Sequence, residues 1–150
     1  MRAGRMAIRA ALAVAAGLCV MAAAPAARAP APRLLLPVSD ADSMLVGGSG
    51  CESAFAQEVT SWTFMRNTSF MLRTGPGRAG LHQCTFTDAQ AEGFGEGGKA
   101  LSCGGRRVSV RRVGRVTSHA EADSSDYPAV LTVTDGRRTE TIRGSYGTAC

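Results

Sequence analysis

The sequence predicts a mainly β fold, a small antiparallel sandwich or partly closed barrel of hairpins with one short helix and two disulfides. Three observations carry this expectation. Gly104-Gly105 separates two segments of alternating hydrophobicity, and Asp135-Gly136 separates two more. Both dipeptides favour two-residue hairpin turns, whose central positions need φ > 0. Four cysteines also follow a segment patterned like an export signal, and an even number in a small exported domain reads as a disulfide framework.

The signal comes first in the chain. Residues 1–9 carry Arg2, Arg5 and Arg9 and no acid, residues 10–24 are uninterruptedly apolar, and alanine and proline follow. That order is a secretory signal peptide, and its apolar run is shorter than the ~20 residues of a spanning helix. Residues 1–29 are therefore read as the signal, with cleavage near 26 or 29, and Cys19 leaves with it. The full chain of 150 residues has 17 basic and 12 acidic side chains and a net charge of +5. Removing Arg2, Arg5, Arg9 and Arg28 leaves +1, or +2 if Arg28 stays. A near-neutral exported chain, with no aromatic residue among its clustered arginines, speaks against nucleic acid as a partner. No later apolar run is long enough to span a membrane.

Residues 30–50 read as a flexible tether, alanine- and proline-rich at the start and glycine-rich at 46–50, with short apolar patches at 34–36 and 44–46. Residues 51–150 then form one disulfide-stapled domain. Cys51, Phe55, Val59 and Trp62 fall on one helical face, so the predicted helix covers 51–60. From Ser61 the period changes: Trp62 and Phe64 alternate with polar residues, and Asn67-Thr68 turns the chain into a second strand at 69–73. Gly75-Pro76-Gly77 marks a turn. Residues 81–88 read as a strand with His82, Cys84 and Phe86 on one face, and 93–98 as a loose glycine loop.

The Gly104-Gly105 hairpin has a consistent register. Leu101 faces Val108, and Leu101, Cys103, Val108 and Val110 share one face while Ser102, Arg107, Ser109 and Arg111 share the other. The pattern breaks at Arg111-Arg112, where Val113 and Val116 need a bulge to point inward. Residues 118–126 read as a polar, acidic loop. In the second hairpin a two-residue turn sets Ala129 against Ile142 but Leu131 against Glu140, which is an uncomfortable pair.

Of three connectivities for Cys51, Cys84, Cys103 and Cys150, the expectation is Cys51–Cys84 with Cys103–Cys150. No pair has C-x-x-C spacing, which argues against zinc and redox chemistry. Arg106, Arg107, Arg111, Arg112 and Arg115 lie within ten residues, with Arg137, Arg138 and Arg143 later. Arginine's planar fork suits carboxylate and phosphate, so these are the candidate anion-binding residues, against the plainer reading of a solvated strand face. His119, Glu121, Asp123 and Asp126 would converge as weak cation ligands if that segment were extended. No catalytic motif and no cofactor motif is present. The functional reading is a non-enzymatic binding or inhibitor module of the periplasm or extracellular space, with 93–98 and 118–127 as presenting loops. An envelope-surface protein holding anionic glycan or lipid through arginines ranks second, and a small metal-dependent hydrolase ranks last. The partner is an extracytoplasmic protein or an anionic surface polymer.

Overall fold

The computed structural model describes residues 30–150; the segment read as an export signal lies outside the described residues. Nine strands follow one another: β1 (Glu52–Gln57), β2 (Thr60–Arg66), β3 (Ser69–Arg73), β4 (Leu81–Thr85), β5 (Leu101–Cys103), β6 (Arg106–Arg112), β7 (Thr117–His119), β8 (Ser124–Thr134) and β9 (Thr139–Ala149). Eight of them form a nearly closed antiparallel barrel in the order β4-β3-β2-β1-β9-β8-β6-β5, and β7 pairs with β8 off this path. The mainly β expectation holds, as a barrel rather than a sandwich.

The barrel consists of two half-sheets. The meander β1 to β4 is one, and β5, β6 and β8 are the other. β9 joins them by pairing with β1 on one side and β8 on the other. The two outer edges, β4 and β5, have no ladder between them among the described residues, and the Cys84–Cys103 disulfide crosses that seam. The second disulfide is Cys51–Cys150, at the start of β1 and the end of β9. The expected pairing was therefore wrong. Ladder geometry decides it, because β1 and β9 are neighbours and bring Cys51 and Cys150 to a Cα separation of 4.2 Å, inside the range that a bridge tolerates.

The interior is filled by side chains. Phe55, Phe70, Phe94, Leu131, Val108, Val110 and Val133 have no exposed surface. One end is closed by helix α2 (Asp88–Gly95), which carries the chain from β4 to β5. Its Phe94 meets Phe70 and Tyr146 edge-on, with centroids 5.3 and 6.0 Å away. Sequence reading had left most of this helix unassigned and its end in a loop. The missed signal is a capping box: the Thr87 hydroxyl accepts from the Gln90 amide, and the Gln90 side chain accepts from the Thr87 amide. Two glycines inside the helix had masked it.

The predicted helix at 51–60 is instead β1 and its turn. Phe55 points inward, but Val59 sits in the turn, 99 % exposed, after Glu58 at φ 54°. Trp62 belongs to β2 and is skipped in the register, since Phe55 faces Thr63 and Ala56 faces Ser61. This bulge places Trp62 in the core and produces the coincidental helical spacing.

Much of the expected tether is also part of the fold. Leu34 and Leu35 are buried where the β5–β6 and β8–β9 hairpins turn, with Arg106 Nε donating to the Leu34 carbonyl at 3.2 Å and Arg138 Nη1 to the Pro32 carbonyl at 3.1 Å. The chain then crosses the outside of β2 and β3, bridging to Arg73 and Ser61 through Leu36 and Val38. There it forms a one-turn helix, α1 (Asp40–Ser43), capped by Ser39. Val38, Val46, Phe64 and Met71 make a second, outer core beneath this strap. Of the two short apolar patches, Leu34 and Leu35 from 34–36 and Val46 from 44–46 are buried against the barrel, while Met44 and Leu45 stay exposed.

The Gly104-Gly105 hairpin has the predicted register, Leu101 against Val108. Gly104 is required twice over: φ is 57°, and a Cβ there would lie 2.4 Å from the His82 ring. The β8–β9 hairpin differs from the prediction. Its loop has four residues, Asp135 to Arg138, so Leu131 pairs with Ile142 and the mismatch with Glu140 disappears. Glu140 faces the end of the barrel, where its carboxylate accepts from the Leu34 amide at 2.8 Å and from Arg33 at 3.2 Å. Val113 and Val116 do not turn inward; each is 46 % exposed in the link between β6 and β7.

Two stability predictions follow from these anchors. By loop-closure entropy, replacing Cys51 and Cys150 with serine lowers unfolding free energy by about 4.7 kcal/mol, against about 3 kcal/mol for Cys84 and Cys103. Urea unfolding of both double variants checks this, and the reverse order would mean that the seam contributes more than chain entropy. Asp42 tests the strap. Burial pushes its carboxyl up, but hydrogen bonds from the Ser39 amide, the Arg73 guanidinium and the Ser39 hydroxyl, and the Arg73 charge, together hold it below its ordinary value of 3.8. A carboxyl lowered in the folded state stabilises above its unfolded value and loses that contribution as pH falls through the folded one. Asp42→Ala is expected to cost about 2 kcal/mol at neutral pH. The difference from the parent should shrink below about pH 3.8; a pH-independent difference would remove the ion pair from the account.

Candidate functional site

Strand alternation sorts the five clustered arginines. Val108 and Val110 point into the barrel, so Arg107, Ser109 and Arg111 point out. Arg106 and Arg112 share the inward parity at the two ends of β6. Arg106 is held by Leu34, and the Arg112 guanidinium lies 5.9 Å from the Tyr127 ring centroid. Arg115 is exposed in the β6–β7 link. Only Arg107 and Arg111 of the five share the outer face.

A third arginine joins them from β9. Across the ladders Arg111 meets Val130, and Val130 meets Arg143. The next outward rows are Ser109, Thr132 and Thr141, then Arg107, Thr134 and Thr139. These nine positions hold three arginines, five hydroxyls and one valine, with no carboxylate. Arg107 and Arg111, four residues apart on a strand, are about 13 Å apart, and Arg111 and Arg143, two ladders apart, about 10 Å. Among the described residues none of the three has an acidic partner within salt-bridge distance. The nearest acid in sequence to Thr134 is Asp135, and it is occupied: amide hydrogen bonds from Arg138 and Arg137 hold its carboxyl below the ordinary range. Arg143 is recognisable in the sequence as a basic residue of the second hairpin, but its place beside Arg111 depends on β8 lying between β6 and β9, which local pattern does not reveal.

One edge of this face is a groove of about 630 Å³ lined by Arg107, Ser109, Thr132 and Thr134, with Gly98, Lys99 and Ala100 as its far wall. The wall is built closely. Gly98 has φ 63°, and a Cβ there would come 3.3 Å from the Val110 carbonyl. The Lys99 stem lies across Gly93, and its amide donates to the Gly93 carbonyl at 2.8 Å.

The expected presenting loops are largely secondary structure. Within 93–98, Phe94 is fully buried and the Gly95 carbonyl accepts from the Tyr127 hydroxyl. Residues 118–126 form the β7–β8 hairpin around a short 3-10 turn, Ala120–Ala122. That turn breaks the extended run that was to align His119, Glu121 and Asp123. His119 Nε2 instead pairs with Asp126 Oδ1 at 2.8 Å, and Asp123 takes a left-handed turn position at φ 44°. Among the described residues no group of three metal-ligating side chains converges. The other histidine, His82, packs on Gly104 and shares a hydrogen bond of 2.9 Å with Thr74 Oγ1. Asn67, in a triplet that also matches a glycosylation acceptor, occupies the β2–β3 turn at φ 52° and donates to the Ser49 carbonyl.

A second concave region, unforeseen in the sequence, lies on the outside of β1 and β9. Ala54, Ala56, Ser145 and Gly147 floor it, with Phe64 at one side and the His119–Asp126 pair at the other, in about 340 Å³. Its floor is short side chains, with no free cation among the residues that line it.

Compared with known proteins, the chain matches no family model, no curated protein and no solved structure.

The Tyr127 contact to the end of α2 can be tested by titration. Burial, and to a lesser degree the neighbouring Tyr146, push the Tyr127 phenol up to about 12. Burial also raises Tyr146. A phenol raised in the folded state contributes stability that is complete below pH 10 and is lost as pH climbs through the folded value. The chain has two tyrosines, so ultraviolet titration of the native protein reads these two alone. Little phenolate is expected at pH 10.5, followed by ionisation accompanied by unfolding. Free ionisation near pH 10 without loss of structure would show both rings to be solvated.

Proposed function

We propose that this chain is a non-enzymatic binding module that works after export, in the periplasm or outside the cell, and that it holds an anionic surface polymer on the Arg107–Arg111–Arg143 face. One observation carries the reading: three uncompensated guanidinium groups, spaced along and across a rigid sheet, with hydroxyls and no carboxylate between them. Charge complementarity of this kind serves recognition and association rate. Net charge does not need to be large for it, because the field is local and the Debye length is only about 8 Å in physiological salt.

Export is supported by the order of basic, apolar and small residues at the start of the sequence and by two disulfides, which persist in oxidising compartments. The binding role is supported by the filled interior and by the scaffold: backbone already fixed by ladders and two crosslinks loses little further freedom when a ligand docks. Arg106 and Arg112, which sequence reading had grouped with the others, serve the fold in this account.

The triple variant Arg107→Glu, Arg111→Glu, Arg143→Glu tests the reading. Binding of the parent to an immobilised acidic polysaccharide is expected to weaken as salt rises, and the variant is expected to lose at least about tenfold in affinity. The same changes at Arg106, Arg112 and Arg115 should disturb binding less. Equal, salt-independent retention of parent and triple variant would sink the proposal.

A further inference from the structure

The groove beside Arg107 has more structure than charge recognition needs. An unselective polyanion surface requires only spaced cations. Here Arg107 and Lys99 border a concave strip lined by short hydroxyls: Ser109 on β6 faces Thr132 on β8, with Thr134 one row away, while Thr141 on β9 lies beyond the groove. Hydroxyls on adjacent strands point the same way and sit about 5 Å apart, so a ligand carrying several alcohol groups can reach more than one of them. The far wall adds backbone and the small residues Gly98 and Ala100, with the Lys99 stem turned over Gly93, so a sugar ring can approach closely. That wall is held in place: Gly98 is folded against Val110, and the Lys99 stem is seated over Gly93. At about 630 Å³ the groove exceeds what one inorganic anion fills and is of the size that sugar units occupy.

Resting on the reading that this face binds anionic polymers, we propose that the groove is a saccharide subsite: it takes a sugar ring bearing an anionic group, with that group on Arg107 and the ring hydroxyls on Ser109, Thr132 and Thr134. Arginine supplies the bidentate contact to the charged group. The Ser109 and Thr132 hydroxyls each offer one donor and two acceptor positions, and Thr134, which already accepts from the Gly136 amide, one of each, so they match alcohols in a way that spaced guanidinium groups alone do not. Selectivity then comes from the neutral contacts, since a site built to hydrogen-bond a hydroxyl rejects a ligand lacking it by leaving its own polar groups unpaired. Arg111 and Arg143 hold further charges along the same chain and add affinity without adding this selectivity.

The test separates sugar recognition from charge. Three soluble polymers serve as probes at equal charge concentration: alginate, with carboxylates on sugar rings; dextran sulfate, with sulfates on sugar rings; and polyacrylate, with carboxylates on a hydrocarbon chain. The parent is expected to bind at least one of the two polysaccharides more tightly than polyacrylate, and the one preferred identifies the anionic group. The variant Ser109→Ala, Thr132→Val changes outward positions without changing charge. Removing two hydrogen-bonding groups should weaken binding to the preferred polysaccharide by about tenfold and leave polyacrylate binding unchanged within about twofold. Thermal unfolding at the parent's midpoint establishes that the variant is folded; if it is not, the single variants Ser109→Ala and Thr132→Val replace it. Equal binding of all three polymers by the parent, or an equal effect of the hydroxyl variant on all three, overturns the subsite and leaves the charged face standing. Loss of no polymer in the Arg107→Glu, Arg111→Glu, Arg143→Glu protein overturns the reading beneath it as well.

Discussion

The barrel depends on a seam. Its two half-sheets are joined by a full ladder on the β9 side, but where β4 meets β5 the joint is a single covalent link, Cys84–Cys103. An unpaired strand edge is a template for pairing with other chains, and this fold has two such edges facing each other. The crosslink holds them together, and α2, which connects them in sequence, closes the adjacent end through Phe94. The other disulfide works differently. It ties strand ends that the ladder already places side by side, so it restricts the unfolded chain more than it shapes the folded one.

The face of arginines and hydroxyls is a by-product of how the interior is filled. Because Val108, Val110, Leu131, Val133 and Ile142 go inward, everything between them in β6, β8 and β9 goes outward as a set. Arginine and threonine at alternate positions therefore become one surface without any loop to arrange them. A face built on paired strands is more rigid than one built on loops, and its spacings are fixed by the ladder.

What could be read in advance follows the range of the interactions. The β2–β3 pair and the β5–β6 hairpin depend on alternation and turn residues within a dozen positions, and both were legible down to Leu101 facing Val108. The β8–β9 register was two residues out because Asp135-Gly136 resembles a two-residue turn, while the Asp135 carboxylate, by accepting from two amides, supports a four-residue loop. β1 was read as a helix because a bulge in β2 and a coincidence of spacing imitate a helical face. The strap was read as a tether because nothing local reveals that Leu34, Leu35 and Val46 have partners on the barrel. The disulfide pairing and the membership of Arg143 in the candidate site depend on which strands are neighbours across the whole chain, and local pattern carries none of that.

β9 has a kinetic consequence. Among the described residues it is the only strand that belongs to both half-sheets, and as the last strand it pairs with the first. β9 reaches β8 through a local hairpin, but until it also pairs with β1 that strand presents an open backbone edge of about five residues. Such long-range closure is slow compared with hairpin formation. Closing the barrel and removing that open edge are therefore the same event, the pairing of the first strand with the last.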